Sequence, residues 1–534
     1  MNLSARLDAL NKPQHKAALA NINRGVERET LRITNTGQLA QTSHPKALGA
    51  TLTHPMITTD YAEALLEFIT PVARSVRETL TQLRDLHRFT YRNIGDELLW
   101  PMSMPCYVNE PQDIRIADYG KSHVGQMKTT YRQGLTHRYG AVMQTIAGVH
   151  YNFSVPDALW EELARQDAAQ NCENYCSENY RSESYFGLIR NFLRHAWVVP
   201  YFFGASPVVC SSFVRHSPGD VDLEDFGGGM LYRPYATSLR MSDLGYTSKE
   251  QATLKVSYNS TQEYIDGLRS AVSTPSERFK DIGVMQSDGH YRQLNSNILQ
   301  IENEFYSPIR PKRVARSGET PSQALERGGV EYIEVRAIDV NPTSPVGISG
   351  EQMLFLDLLL MYCLLDESPK MSWDEQQLTS QNLTQVVLNG RDPMLRLQTD
   401  QGQRLLRDCL KDLFSQLDGI ASLLDSAYGG DAYQDVLGTL SKQIDDPELT
   451  LSGQLIRDIR QAQEQGQGHG LHLATLYREQ LLQEPYEIYS EAELDAMAET
   501  SLAEQQAIEG QQEGTFTEFL DMYFAAALEK KNAP

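Results

Sequence analysis

Four carboxylates stand where a folded chain would bury them. Glu27 and Glu29 flank Arg28 in an alternating stretch, Glu67 sits between Leu66 and Phe68, and Glu334 sits between Ile333 and Val335. A carboxylate taken out of water without a partner is costly, so each of these needs a cation, a set of hydrogen bonds or a raised pKa. Oxygen-rich clusters with at most one imidazole suit Mg2+ or Mn2+ better than zinc. His150 is a candidate imidazole, on the polar side of another alternating run. Arg336, two residues from Glu334, points to the same side of a strand, an arrangement that can hold a cation and an anionic substrate group side by side. On spacing alone a plainer reading stays open. The carboxylates would pair with Arg24, Arg28, Arg32 and Arg336 or face solvent on an edge strand, and His150 would be a hydrogen-bonded surface residue.

The elements that must position these groups follow from periodicity. Residues 25–34 alternate with period two and leave through Asn35-Thr36-Gly37, which predicts a strand with Glu27, Glu29, Leu31 and Ile33 on one face and Arg28, Thr30 and Arg32 on the other. A second strand is expected at 67–70, before Pro71, and a third at 149–154, with His150, Asn152 and Ser154 opposite Val149, Tyr151 and Phe153. Stretches 295–302 and 331–340 are further strand candidates. Helical spacing predicts helices over 1–20, 74–99, 184–198 and 351–365, and two prolines make 100–105 an extended loop. From about 375 the pattern is helical and increasingly polar. The chain is therefore expected to be α+β, with the strands in a unit over 1–375 and a mainly helical region, 376–534, packed on it.

Composition narrows the chemistry. Among 534 residues, 70 acidic against 48 basic side chains leave a formal charge of −22, which argues against sequence-independent binding to nucleic acid or to anionic membranes. The longest apolar run, 353–365, is interrupted by Asp357 and too short to span a bilayer, and 1–20 has no apolar stretch resembling a signal peptide. The six cysteines are too sparse for a disulfide framework, and the one close pair, Cys172 and Cys176, has no second pair to complete a zinc site. These features predict a cytoplasmic protein with free thiols. No G-x-x-x-x-G-K-[ST], G-x-G-x-x-G or G-x-S-x-G occurs, so a P-loop, a dinucleotide fold and a serine nucleophile elbow are set aside. Most of the 26 tyrosines must be packing residues, and periodicity does not separate out functional ones.

Several segments together carry a more specific signal. They are Arg24 to Arg32, Leu52-Thr53-His54 with Thr58 to Pro71, Gly140-Ala141 with Met143-Gln144-Thr145 and Gly148 to Ser154, Pro234 to Arg240 with Ser242 to Tyr246, Leu299 to Glu304 with Tyr306 and Arg310 to Arg313, and Gly328-Gly329 with Glu331 to Arg336. In this order they resemble the bacterial glutamate–cysteine ligase family of the proteobacterial type. The resemblance implies ATP-dependent joining of L-glutamate to L-cysteine through γ-glutamyl phosphate, the first step of glutathione synthesis. It implies a glutamine-synthetase-like antiparallel sheet shaped as a funnel or partial barrel, with helices around it and Mg2+, or Mn2+, at its floor. Carried over residue by residue, the metal ligands fall on Glu27, Glu29, Asp60, Glu67, His150 and Glu334. Arg336 and Arg240 fall on the catalytic and anion-binding positions, and Tyr61, Tyr131, Leu135, Gln144, Tyr246 and Tyr306 surround the cysteine pocket. Tyr61 departs from the phenylalanine common in the family, adding a hydroxyl that needs a partner. ATP as co-substrate, glutathione as feedback inhibitor and a monomeric state complete the implications. The rivals are a related ligase using another amine and a non-catalytic binding protein that has kept the sheet.

Overall fold

The computed structural model describes residues 2–168, 177–217, 221–245, 254–316 and 318–528. Twelve strands are found among them: β1 (Asn23–Ile33), β2 (Ile57–Thr59), β3 (Leu65–Ile69), β4 (Leu98–Leu99), β5 (Gly148–Ser154), β6 (Val208–Cys210), β7 (Glu224–Gly227), β8 (Met230–Tyr232), β9 (Ile309–Lys312), β10 (Tyr332–Asp339), β11 (Arg396–Thr399) and β12 (Gly402–Leu405). The main sheet runs β2-β3-β1-β5-β10-β9, with β4 beside the end of β1, and its pairs are antiparallel. A three-stranded sheet, β6-β8-β7, and the β11-β12 hairpin lie apart from it.

The α+β class is as expected, with helices around a sheet, but the funnel or partial barrel is not formed. The main sheet is open, and its edges, β2 and β9, pair with nothing on their outer sides within the sheet. Closure needs two edges with continuous donors and acceptors. Here one edge has three residues and the other four, with Pro311 lacking an N–H.

Alternation divides the sheet into two faces. On the rear face Val26, Val149, Tyr151, Phe153, Ile333 and Val335 are wholly buried. The apolar run expected as a buried helix forms one over Gly350–Leu365, capped by Ser349, whose side chain accepts from the Gln352 N–H. Asp357, the charge interrupting that run, meets Arg24 of β1: Nε and Nη2 donate to Asp357 Oδ2 at 2.9 and 2.6 Å, and Tyr151 donates to Oδ1 at 2.7 Å. Tyr433, from the Ala432–Asp445 helix, donates to Oδ2 at 3.3 Å. The group that looked like a break in the run therefore ties sheet, buried helix and a C-terminal helix together. Asp357→Ala leaves the Arg24 guanidinium buried without its counter-charge and is expected to cost about 3–5 kcal/mol. A loss below about 1 kcal/mol in urea unfolding would show that the network is not a stability determinant.

Some sequence expectations fail locally, among them the end of the helix expected over 74–99, which stops at Asn93 before β4. Residues 295–302 are not a strand, because side chains take their backbone groups: Gln300 Oε1 accepts from the Leu294 N–H, Asn295 Nδ2 donates to the Gln300 carbonyl, and Arg138 takes the Asn295 carbonyl. The stretch expected to be helical beyond 375 is interrupted by the β11-β12 hairpin.

Candidate functional site

The front face of the main sheet gathers the carboxylates. Across β1 and β5, Glu27 stands opposite His150; across β1 and β3, Glu29 stands opposite Glu67; across β10 and β5, Glu334 stands opposite Asn152. Directly opposed residues of antiparallel strands bring their Cβ atoms to about 5 Å, so the register alone clusters side chains from four strands. Two groups result, Glu27 with His150 and Glu334, and Glu29 with Glu67 and His150, each with ligand atoms within 4.8 Å of one another. His150 lies between them, with Nδ1 at 3.0 Å from Glu27 Oε2 and Nε2 at 3.8 Å from Glu29 Oε1. A neutral imidazole has one nitrogen lone pair, so His150 can ligate a cation in one group at a time.

Asp60 belongs to neither group. It follows β2, where its carbonyl is held by the Tyr119 hydroxyl at 2.9 Å and by Arg132 Nε, and its charge acts on Glu29 and Glu67.

The two halves of the cluster differ electrostatically. Burial, then the charges of Glu27, Asp60 and Glu29, hold the Glu67 carboxyl well above its ordinary value, and burial with Asp60 also raises Glu29. Burial acts upward on Glu334 too, but Lys312, Arg336, His150 and Arg310 outweigh it and hold that carboxyl well below the usual range. Burial and Glu334 push Glu27 up, but His150 and Lys312 prevail and leave it lowered. Crowded carboxylates with too little positive charge form a donor set for a hard dication. Glu334 Oε1 fits the same role, since it is buried and makes no hydrogen bond although Lys312 Nζ lies 3.1 Å away. The residues present therefore fit Mg2+ or Mn2+.

Beside the Asp60 end lies a cavity of about 130 Å³. Asp60, Tyr61, Tyr131, Leu135, Gln144, Tyr306 and Arg336 line it, together with Arg132, Glu304 and Arg310. Arg336 Nη1 lies 3.1 Å from Glu334 Oε2, while the Nε atoms of Arg336 and Arg310 are buried without an acceptor, leaving donors for an anionic guest. The Tyr61 hydroxyl, unusual by the family resemblance, has a partner, Thr136 Oγ1 at 2.6 Å on the His123–Tyr139 helix. The Tyr306 hydroxyl donates to Met241 Sδ at 3.0 Å.

Arg240 is not among the residues lining this cavity; it lies against Gly148, which shares a face of β5 with His150, and its charge acts on Glu29. The β10 register shifts between Val335 and Ile338, and Arg240 Nη2 donates to the Arg336 carbonyl at 3.0 Å in that gap. Its Nη1 lies 3.6 Å from Asp339 Oδ1, and Asp339 is fixed by Ser206 at 2.6 Å and Ser238 at 2.9 Å. The guanidinium lies against Gly148, where a Cβ would come within 2.1 Å of Nη2. Tyr246 lies outside the described residues, as do Cys172 and Cys176.

Several residues of the site carried no assignment from sequence. Arg310 and Lys312 alternate on β9, but a four-residue strand containing proline gives too short a pattern to read as one. Arg132 is one helical turn from Lys128 and Thr136, a spacing equally common on any solvated helix. Asp339 and Ser206 lie over a hundred residues apart, and nothing local marks them as partners.

A sequence profile of the glutamate-cysteine ligase family matches residues 7–386. The chain belongs to the glutamate–cysteine ligase family. A glutamate–cysteine ligase of Serratia proteamaculans (strain 568) is 50% identical over 512 residues, covering 95% of this chain and 97% of that one. The crystal structure of glutamate–cysteine ligase from Francisella tularensis in complex with AMP superposes with a TM-score of 0.88 at 36% identity, covering 95% of this chain and 98% of that one. A bifunctional glutathione synthetase from Pasteurella multocida shares the fold, with a TM-score of 0.70 at 23% identity over 93% of this chain and 58% of that one. Within this ligase family, the front-face cluster and the adjoining cavity are the candidate active site. No helix among the described residues is long and apolar enough to cross a membrane.

Proposed function

We propose that this chain joins the γ-carboxylate of L-glutamate to the amino group of L-cysteine, with ATP cleaved to ADP and phosphate and γ-glutamyl phosphate as the intermediate. The observation that carries this reading is the adjacency of two opposed environments: a carboxylate cluster short of positive charge, and a cavity with an arginine whose Nε lacks an acceptor. Glu27, Glu29, Asp60, Glu67, His150 and Glu334 would hold Mg2+, or Mn2+ in its place, and the metal would supply the charge that offsets repulsion between the γ-carboxylate and the triphosphate. Arg336 orients the anionic glutamyl group and stabilises the oxyanion formed as the amine attacks. Arg240 acts with Arg336 on the anionic groups and also holds the strand carrying it. Tyr61, Tyr131, Leu135, Gln144 and Tyr306 enclose cysteine and exclude water from the acyl phosphate. No protein nucleophile is required.

On the same proposal the chain works in the cytoplasm as a monomer. Glutathione, which contains the γ-glutamylcysteine unit, competes at the same site.

The deciding measurement is ADP release with glutamate present, adding cysteine, 2-aminobutyrate or ammonia in turn. Cysteine is expected to give the highest kcat/KM; preference for ammonia would sink the assignment. A second prediction concerns the Tyr61 hydroxyl. Thr136→Val and Tyr61→Phe are each expected to raise KM for cysteine by about two- to tenfold, from loss of one hydrogen bond, with KM for ATP unchanged. The double variant should be no worse than either single. Additive losses would mean that the two hydroxyls do not act as a pair.

A further inference from the structure

The front face continues beyond the carboxylates, away from the cavity. Along β5 the order is His150, Asn152, Ser154; antiparallel to it, β1 passes from Glu27 to Gly25 to Asn23 and β10 from Glu334 to Tyr332. On the edge strand β9, Arg310 stands opposite Glu334 and Lys312 opposite Tyr332. Arg310 lines the cavity, whereas Lys312, one pleat further along the same face, does not. The cluster is thus flanked on one side by the cavity with Arg336 and on the other by the half-buried Lys312 and Asn152. If glutamate, the phosphoryl acceptor, and the cysteine amine take the first side, as proposed above, the phosphoryl donor enters by the second.

The side chains on that second side are suited to phosphate. Lys312 Nζ is 3.1 Å from Glu334 Oε1, yet that oxygen accepts no hydrogen bond, so the contact is an ion pair in poor alignment. The Lys312 side chain is 29% exposed and rides on a flexible four-carbon stem. Arg310 differs, since its Nη2 is tied to the carbonyls of Asn303 and Phe305. Asn152 donates to Glu27 Oε1 at 2.9 Å, and its own Oδ1 is buried without a partner. A dication taken up by Glu27 and Glu334 would cancel the charge that holds Lys312 and repel its ammonium, leaving a mobile cation at the side from which polyphosphate arrives.

We infer that Lys312 is a nucleotide-phosphate contact that exchanges partners, balancing Glu334 in the metal-free protein and binding the polyphosphate of ATP once a dication occupies Glu27 and Glu334. This rests on the metal and ligase reading above, and the test separates the two. Thermal shift and calorimetry on the full chain compare the parent, Lys312→Met and Lys312→Arg with three probes: Mg2+ alone, Mg·ADP and adenosine. Lys312→Met is expected to respond to Mg2+ alone at least as strongly as the parent, because the competing ammonium is gone. Its affinity for Mg·ADP is expected to fall about tenfold or more, the loss of one charge-assisted contact, with adenosine affinity unchanged and Lys312→Arg restoring most of it. Unchanged Mg·ADP affinity in Lys312→Met overturns the inference. So does a parallel loss for Mg2+ and adenosine, which would mark Lys312 as structural. A parent protein without any Mg2+ response overturns the metal reading itself, and the exchange with it.

Discussion

Glu67→Gln is expected to be at least as stable as the parent in EDTA and to turn over at least about a hundredfold more slowly at saturating Mg2+. The opposite signs arise from one cause. Without metal, burial and the neighbouring charges of Glu27, Asp60 and Glu29 disfavour the ionised Glu67 carboxylate, so its pKa lies well above the unfolded value. A carboxyl raised on folding binds more protons in the native than in the unfolded state, and its contribution to stability falls as pH rises from about 4.5 through the native pKa. Glu29 is raised and acts in the same direction, whereas Glu27 and Glu334 are lowered and act in the other. The amide removes the largest of the unfavourable contributions. Thermal unfolding of the metal-free variant should therefore depend less steeply on pH above 4.5, and the Mg2+-induced rise in Tm expected for the parent should shrink or vanish. Parent-like turnover at limiting Mg2+ would show that Glu67 is not a ligand.

Gly148→Ala is expected to impair the enzyme through Arg240. The new Cβ would stand 2.1 Å from Nη2 and 2.7 Å from Cζ of a guanidinium held at the Arg336 carbonyl and beside Asp339. Gly148 cannot retreat easily, since its N–H donates to Glu29 Oε2 at 2.6 Å and its strand pairs with Asp339. Overpacking of this kind costs about 1–3 kcal/mol. The larger effect is on rate: a shift of about 1 Å at Arg336 or Glu29 is enough for a hundredfold loss in kcat. Arg240→Ala is also expected to be impaired, but Gly148→Ala should add little to it, because the clash is gone. Full additivity of the two losses in kcat would refute a steric route through Arg240.

Much of the cluster was legible in the sequence because a strand has period two. Glu27 with Glu29, Glu334 with Arg336, and His150 apart from Val149 and Tyr151 were each assigned a face by alternation, and the faces are those the sheet adopts. Bringing four strands together is a matter of register, which no single stretch encodes; the family resemblance supplied it. What stayed hidden depends on contacts between remote segments. Arg240 occupies a gap in the ladder made by an irregularity in β10, and the periodicity of 331–340 does not reveal that irregularity. The strand expected at 295–302 is lost to side chains competing for its backbone, from Arg138 far upstream and Gln300 within it. The openness of the main sheet follows from how short β2 and β9 are, a boundary property that alternation describes least well.

The placement of one imidazole between two acidic groups also makes the cation sites chemically unequal. Whichever ion takes the His150 nitrogen is bound through nitrogen and oxygen, and a second ion has oxygen alone. Nitrogen-preferring metals such as Co2+ are then expected to load in sequence rather than together, so a spectroscopic titration should resolve two steps where Mg2+ shows none.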